Sequence, residues 1–485
     1  MAVVDVELIE GDPAPPPRAR ERHPWRIAAA VAVVLLLAFA GQAWLDARHR
    51  AHLAQFDEVS GVLLPQSATA RTRWTVDPRD DGLDRAANVH GHLVSGFVDA
   101  GGFTVRELDR ATGAARWTTT VDVPAGTEGD VTCVPAGEDD LVVCALGATA
   151  PTWTPAEPVR TRLLVVDAAT GRQVDDRSAS IRTWVAAGGH VVTATSSTRA
   201  DTVTWTLESR GTDGTAQWRT TLDPVTVQAA PPQDEDSYSP GLPLWLSAAR
   251  DRVAFTDEGR VWVLDGGTVT DRRTVKAGGS VEVVEPGVLE ITEPVNDTNA
   301  DSWGVDGTLV PLDGDPVQFS GWPVTPFVDD GSAPDTLVVQ EPSDGLVGLD
   351  ARTGERRWAV PVTDVYSGLV LGGTLYVNPS THTGRDPGGP SIDAIDLRTG
   401  RTLWSRTAIA TGNLATDGRA VYLVENTRME AFAIDDGSRL PPVQLVAPPL
   451  DAGSDANEWY TASDGVLMRV AYDEEGNELS RIILG

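Results

Sequence analysis

Lysine is almost missing from this chain: Lys276 is the only one among 485 residues, so nearly all of the positive charge is arginine. Basic residues of any kind are scarce, 39 against 70 acidic, and beyond the first 59 residues the balance is 33 against 62. A surface with that excess repels polyanions, which excludes nucleic acid and anionic lipid headgroups as partners of the main body. It fits a soluble exported domain, with an acidic docking face for a basic partner as the sharper reading. The arginine-over-lysine usage reads as a GC-rich, actinobacterial genome and carries no chemistry. Cysteine is limited to Cys133 and Cys144, so a zinc ribbon is excluded, and no cysteine near the N-terminus is placed to carry a thioether lipid. Histidine is limited to seven residues, and His90 and His92 lack a Cys or Glu partner at metal spacing. No Gly-rich phosphate loop and no Gly-x-Ser-x-Gly element occurs.

Long apolar runs are limited to one. Ile27 to Leu45 is uncharged and long enough at helical rise to cross a bilayer. Arg18, Arg20, Arg22 and Arg26 precede it, while Arg48 and Arg50 follow with Asp46 beside them, a bias that predicts a cytoplasmic N-terminus and an external remainder. The rival is a cleaved signal peptide, since Ala38-Phe39-Ala40 matches a cleavage site, but a leader of 26 residues with Pro13 and Pro15 to Pro17 favours an uncleaved anchor. Both readings export the rest. The expected organisation is a disordered cytoplasmic tail over 1–26, a transmembrane helix over 27–45, a juxtamembrane linker over 46–69 and an all-β domain over 70–485. Residues 51–59 are expected to extend the helix as a short polar stretch.

What is abundant is turn-forming: 47 Gly and 33 Pro among Val- and Leu-rich runs. A repeat organises them. Its clearest copies are Asp109-Arg-Ala-Thr112-Gly113-Ala-Ala-Arg-Trp117, Asp350-Ala-Arg-Thr353-Gly354-Glu-Arg-Arg-Trp358 and Asp396-Leu-Arg-Thr399-Gly400-Arg-Thr-Leu-Trp404. Asp167 to Gly171 lacks the Trp, Thr212 to Gly214 leads to Trp218, and degenerate copies stand at Asp265, Asp306, Asp435 and Glu475. The Asp carboxylate accepts amide hydrogen bonds in a tight turn, and Gly supplies a positive φ. Apolar runs such as Arg162 to Val166 and Arg260 to Leu264 precede the turns as strands, and the Trp opens the next strand as a packing residue between units. Spacings of about 40 to 60 residues suit one four-stranded propeller blade per copy. Trp74 reads as part of an outer strand lent to the last blade. Cys133 and Cys144 flank a hairpin turn over 137–140, where an exported chain pairs them as a disulfide; the alternative is two buried thiols.

These residues resemble the pyrroloquinoline-quinone-like propeller repeat family, and the likeness covers nearly all of 70–484. It implies a ring of radial four-stranded sheets around a channel, eight blades here with seven as the alternative. The family includes quinoprotein dehydrogenases, which carry a calcium-binding acidic set and often a disulfide between adjacent cysteines. Here the cysteines are eleven residues apart and no such acidic set can be matched, so no cofactor, metal or catalytic residue is expected. Asp297, Asn299 and Asp301 imitate the start of a calcium loop, but Ser302 stands where its turn Gly belongs and Thr308 where its closing Glu belongs. Other family members serve as cofactor-free docking platforms. The expected function is therefore a membrane-anchored, extracytoplasmic, non-catalytic scaffold that binds an envelope protein, with a quinoprotein dehydrogenase or a sensory ectodomain as alternatives. Recognition is expected in five long loops, 148–160, 229–242, 294–303, 378–391 and 447–458.

Overall fold

The computed structural model describes Val33, Gln42 and residues 55–485, except 57–58, 77–80, 100–101, 124–130, 138–139, 148–159, 200, 227–243, 258, 277–278, 295–304, 343, 383–389, 426, 449–456 and 474–477. The chain divides into two compact units, 1–54 and 55–485. In the first, Val33 and Gln42 are helical. The rest of the apolar segment lies outside the described residues, and among those described no helix is long and apolar enough to cross a membrane.

The second unit is built of antiparallel four-strand meanders. Eight hydrogen-bonded sheets form, seven of four or five strands and one of eight. The eight-stranded sheet is two blades joined edge to edge, because Thr69–Val76 pairs in parallel with Arg439–Val446 and antiparallel with Glu478–Leu484. The four-stranded units therefore span 87–121, 131–179, 183–221, 245–274, 280–320, 322–360, 362–407, 413–446 and 457–484, the last completed by Thr69–Val76. We number them blades 1 to 9.

Nine apolar clusters confirm the count, each drawn from two successive blades. Leu346, Trp358 and Val360 of blade 6, for example, meet Val370, Leu375 and Val377 of blade 7. The cluster that closes the ring joins Val466, Met468 and Ile483 of blade 9 to Leu93 and Leu108 of blade 1. Strand alternation makes this possible: Val142 and Cys144 face blade 1, while Val143 and Ala145 face blade 3. Each fully buried Val or Leu contributes about 1.5–3 kcal/mol, so the blade interfaces dominate the stability. The N-terminal strand lent to the C-terminal blade removes the open edge that an unclosed ring would present.

The repeat has two linked jobs. In its turn, Asp109 Oδ1 accepts from the amides of Ala111 and Thr112 at 3.0 and 2.9 Å, and Gly113 sits at φ 69°. A Cβ on Gly113 would lie 2.5 Å from the indole of Trp74, which belongs to the preceding blade. Gly171 receives Trp117, Gly267 receives Trp218, Gly400 receives Trp358 and Gly437 receives Trp404 in the same way. The indole N–H then donates to a carbonyl of that next turn, Trp117 to Ala168 at 2.8 Å and Trp358 to Leu397 at 2.6 Å. The glycine is thus both the positive-φ hinge of its own turn and the floor on which the neighbour's tryptophan rests.

This changes the blade count. The expected eight blades are nine four-stranded units, because blade 9 has no turn of this kind: its outer strand comes from the other end of the chain. Eight turns therefore serve nine blades. One expected turn is misplaced, since Asp306 and Gly307 lie inside the strand Val305–Val310, and the actual reversal in blade 5 runs through Leu312, Asp313 and Gly314. The copy at Glu475 to Asn477 lies outside the described residues, between the second and third strands of blade 9. Residues 55–68 belong to the propeller unit, and from Val59 to Ser67 the chain is turns and irregular backbone, not helix.

Candidate interaction face

An antiparallel meander puts its first and third reversals at one end and its second reversal and exit at the other. Applied to nine blades, this sorts every connection. The repeat turns and short hairpins such as Gly188-Gly189 and Gly372-Gly373 fall on one end of the ring, here the turn face. All five long connections predicted to carry recognition join second to third strands or one blade to the next, so the strand ends that flank them lie on the opposite, loop face. Most of their residues lie outside the described ones. At their margins, Asn378 and Ser391 are strand residues, and Asn378 is fully buried, accepting from Gly412 N at 2.8 Å and donating to Ser391 O at 2.7 Å.

The turn face carries a dense set of side-chain hydrogen bonds. Arg116 holds the Asp109 carboxyl down to about 2, helped by Thr112, and hydrogen bonds from Thr399 lower that of Asp396. His92 Nδ1 lies 2.7 Å from Glu107, a carboxylate the sequence reading overlooked, and Arg116 also bonds to Glu107 at 3.1 Å. His90 Nδ1 meets Asp140 of blade 2 at 2.5 Å. Both histidines are thus within hydrogen-bond distance of carboxylates, in a network that braces turns.

The chain also straps this face. Phe56 and Val62 are buried against blades 7 and 8, Leu63 N donates to Thr416 O at 2.8 Å, and Gln66 N donates to Asp417 Oδ2 at 3.2 Å. Arg110 reaches across to Val62 O at 2.9 Å. A second segment joins it on the channel side, where Val328-Asp329 leaves blade 6 and pairs in parallel with Leu369-Val370, on the inner strand of blade 7. The two segments touch, with a Cβ on Gly61 lying 2.9 Å from Val328.

The loop face is different in kind. Trp245, Trp322 and Trp459 stand at or near the loop-face starts of the inner strands of blades 4, 6 and 9, each about half exposed. Phe327 is 63% exposed and Ile409 is exposed at the entry to blade 8. A cavity of about 460 Å³ runs inward between blades 6 and 7, walled by Trp322, Pro326, Phe327, Gln340, Val365 and Ser367. Nothing in the sequence marks it: a tryptophan in a strand reads as core, yet three are presented to solvent, Trp322 on an inner strand that is only Trp322–Pro323. Elsewhere burial raises the carboxyl of Asp257, whose Oδ2 accepts from Trp205 Nε1 at 2.7 Å, and pushes Glu290 up to about 8 with the help of Glu282 across the strand pair.

Cys133 and Cys144 are directly opposite across the first two strands of blade 2 and are joined as a disulfide, buried in the interface with blade 1. Among the described residues no group of three His, Cys, Asp or Glu side chains is placed to hold a metal ion, and the calcium-like run at Asp297, Asn299 and Asp301 lies outside them.

A family model matches the middle of the chain. Its description is PQQ_2, outer membrane protein assembly factor BamB, and it covers residues 209–440, from blade 3 to blade 8. No curated protein sequence is significantly similar to the chain. Among solved structures, BamB from Moraxella catarrhalis is similar over 86% of this chain and 99% of its own, at 14% identity and a TM-score of 0.38. A europium-containing methanol dehydrogenase is similar over 83% and 85%, at 11% identity and a TM-score of 0.35. Apo AztD from Citrobacter koseri is similar over 66% and 91%, at 13% identity and a TM-score of 0.33.

Proposed function

We propose that this protein is a membrane-anchored, extracytoplasmic propeller that binds another envelope protein through its loop face and performs no catalysis. The observation that carries the reading is the segregation of the two ends. The repeat turns and the strap gather on the turn face, while the strand ends that carry the long connections, the exposed indoles and the mouth of the 460 Å³ cavity gather on the loop face. A rigid scaffold displaying irregular segments and aromatic anchors on one end is the arrangement of a recognition surface. The match to an assembly-factor family over 209–440 supports the same class of role. Export is supported by the apolar run Ile27 to Leu45 behind four arginines and by the Cys133–Cys144 disulfide, which an oxidising compartment sustains.

The test is affinity capture from native membranes with the full chain, beside a chain whose segments 229–242 and 447–458 are replaced by Gly-Ser linkers. A defined envelope protein retained by the first and lost by the second is the expected result. A companion measurement adds pyrroloquinoline quinone and calcium and follows dye reduction; turnover would overturn the non-catalytic reading.

A further inference from the structure

The inner strand of blade 7, Val362–Leu371, has a channel-facing edge that the chain itself treats in two ways. Its turn-face half is occupied by strand addition: Val328 and Asp329 pair in parallel with Leu369 and Val370, and Phe327 N donates to Gly368 O at 2.9 Å. Among the described residues no strand lies beside its loop-face half. There the amide of Val365 donates to the side chain of Gln340, with Oε1 at 2.8 Å, a side-chain carbonyl standing where a strand carbonyl would stand. That same stretch forms one wall of the cavity whose other walls are Trp322, Pro326 and Phe327.

We infer that this edge takes an extended segment of a partner protein, added as a strand toward the mouth from Val365, with one aromatic or large aliphatic side chain seated between Trp322 and Phe327. Three observations fix the occupant's chemistry. The edge already accepts a strand from Gly368 onward, three residues beyond Val365, so main-chain pairing is its demonstrated mode of recognition. The cavity walls are aromatic and proline surfaces, of which Trp322 and Phe327 are 51% and 63% exposed, so the anchor is apolar. The unit beyond residue 59 carries 62 acidic against 33 basic side chains, so the residues flanking the anchor are basic. This inference rests on the loop face being the binding face and names the segment it binds.

The test uses the full chain and a fluorescein-labelled peptide, acetyl-Arg-Val-Trp-Val-Arg-amide, read by anisotropy. Saturable binding is expected. It should weaken by about tenfold or more in the Trp322→Ala/Phe327→Ala double variant, whose altered residues are exposed and leave the fold intact. Methylating both valine amide nitrogens should weaken it by at least about tenfold, since a blocked strand cannot pair. Exchanging both arginines for glutamate should do the same at low salt. The inference is overturned if the peptide fails to saturate, if the double variant binds equally well, or if the methylated or acidic peptide matches the parent. Loss of the peptide with retention of a loop-dependent membrane partner would sink this inference and leave the proposed function standing.

Discussion

The two ends of the ring are made from the same strands and obey opposite rules. On the turn face, sequence repeats, glycines carry indoles, carboxylates are held below their ordinary range, and the strap from Phe56 to Gln66 is held by three hydrogen bonds and by the burial of Phe56 and Val62. On the loop face nothing repeats, connections vary in length, and indoles point into solvent. Stability is thus concentrated at one end of each hairpin, and the other end is the one proposed for recognition. Sequence change is then tolerated where it serves binding and penalised where it would open a blade.

The largest effect that would break this comparison lies at the turn-face glycines. Gly400 sits at φ 69° with the Trp358 side chain 2.5 Å from any added Cβ. Gly400→Val is expected to cost about 3–5 kcal/mol, combining backbone strain with overpacking, read as a lower denaturant midpoint. A loss below about 1 kcal/mol would show that the indole-on-glycine contact does not hold the blades. The strap comes next. Phe56 is 3% exposed against blades 7 and 8, so Phe56→Ala is expected to cost about 2–4 kcal/mol; no change would return residues 55–66 to the role of a passive linker.

Much of this architecture was legible because the repeat is a local device. Asp109, Thr112 and Gly113 form their turn within five residues, so strand, turn and period could be read from the chain. What Gly113 supports could not, since Trp74 lies far away in sequence and belongs to another blade. Blade 5 was misread for a related reason: its reversal at Leu312 to Gly314 lacks the Thr and Trp of the repeat, and the decoy Asp306-Gly307 lies six residues upstream in a strand. Phe56, Val59 and Val62 recur at a near-helical interval, yet they pack as irregular backbone because their partners are tertiary. On the loop face, Trp322 and Trp459 carry no local signal of exposure. Whether a strand tryptophan is covered depends on the length of the adjoining blade's inner strand, a property of the assembled ring.

A smaller effect tests whether the turn-face half is satisfied throughout. Glu290 lies in the second strand of blade 5, close to its turn-face start, directly across from Glu282, and burial with that like charge raises its carboxyl to about 8. A carboxyl raised on folding binds its proton more tightly in the native state, so stability falls as pH rises from about 4.5 to 8. Glu290→Gln should therefore stabilise the protein at pH 7 by about 1–3 kcal/mol and change little at pH 4. Equal effects at both values would mean that the carboxyl is not held neutral there.

The smallest effect is expected on the loop face. Trp459 is 55% exposed and touches Tyr472 edge-on, with centroids 5.2 Å apart. Removing it forfeits that contact and little burial, so Trp459→Ala should cost no more than about 1 kcal/mol, although tryptophan is the residue whose loss from a core costs most. A cost near that of Phe56→Ala would mean that the indole is structural and that the mouth is part of the framework. A cost near zero, with the melting transition unchanged, is what a side chain kept in solvent for a partner requires.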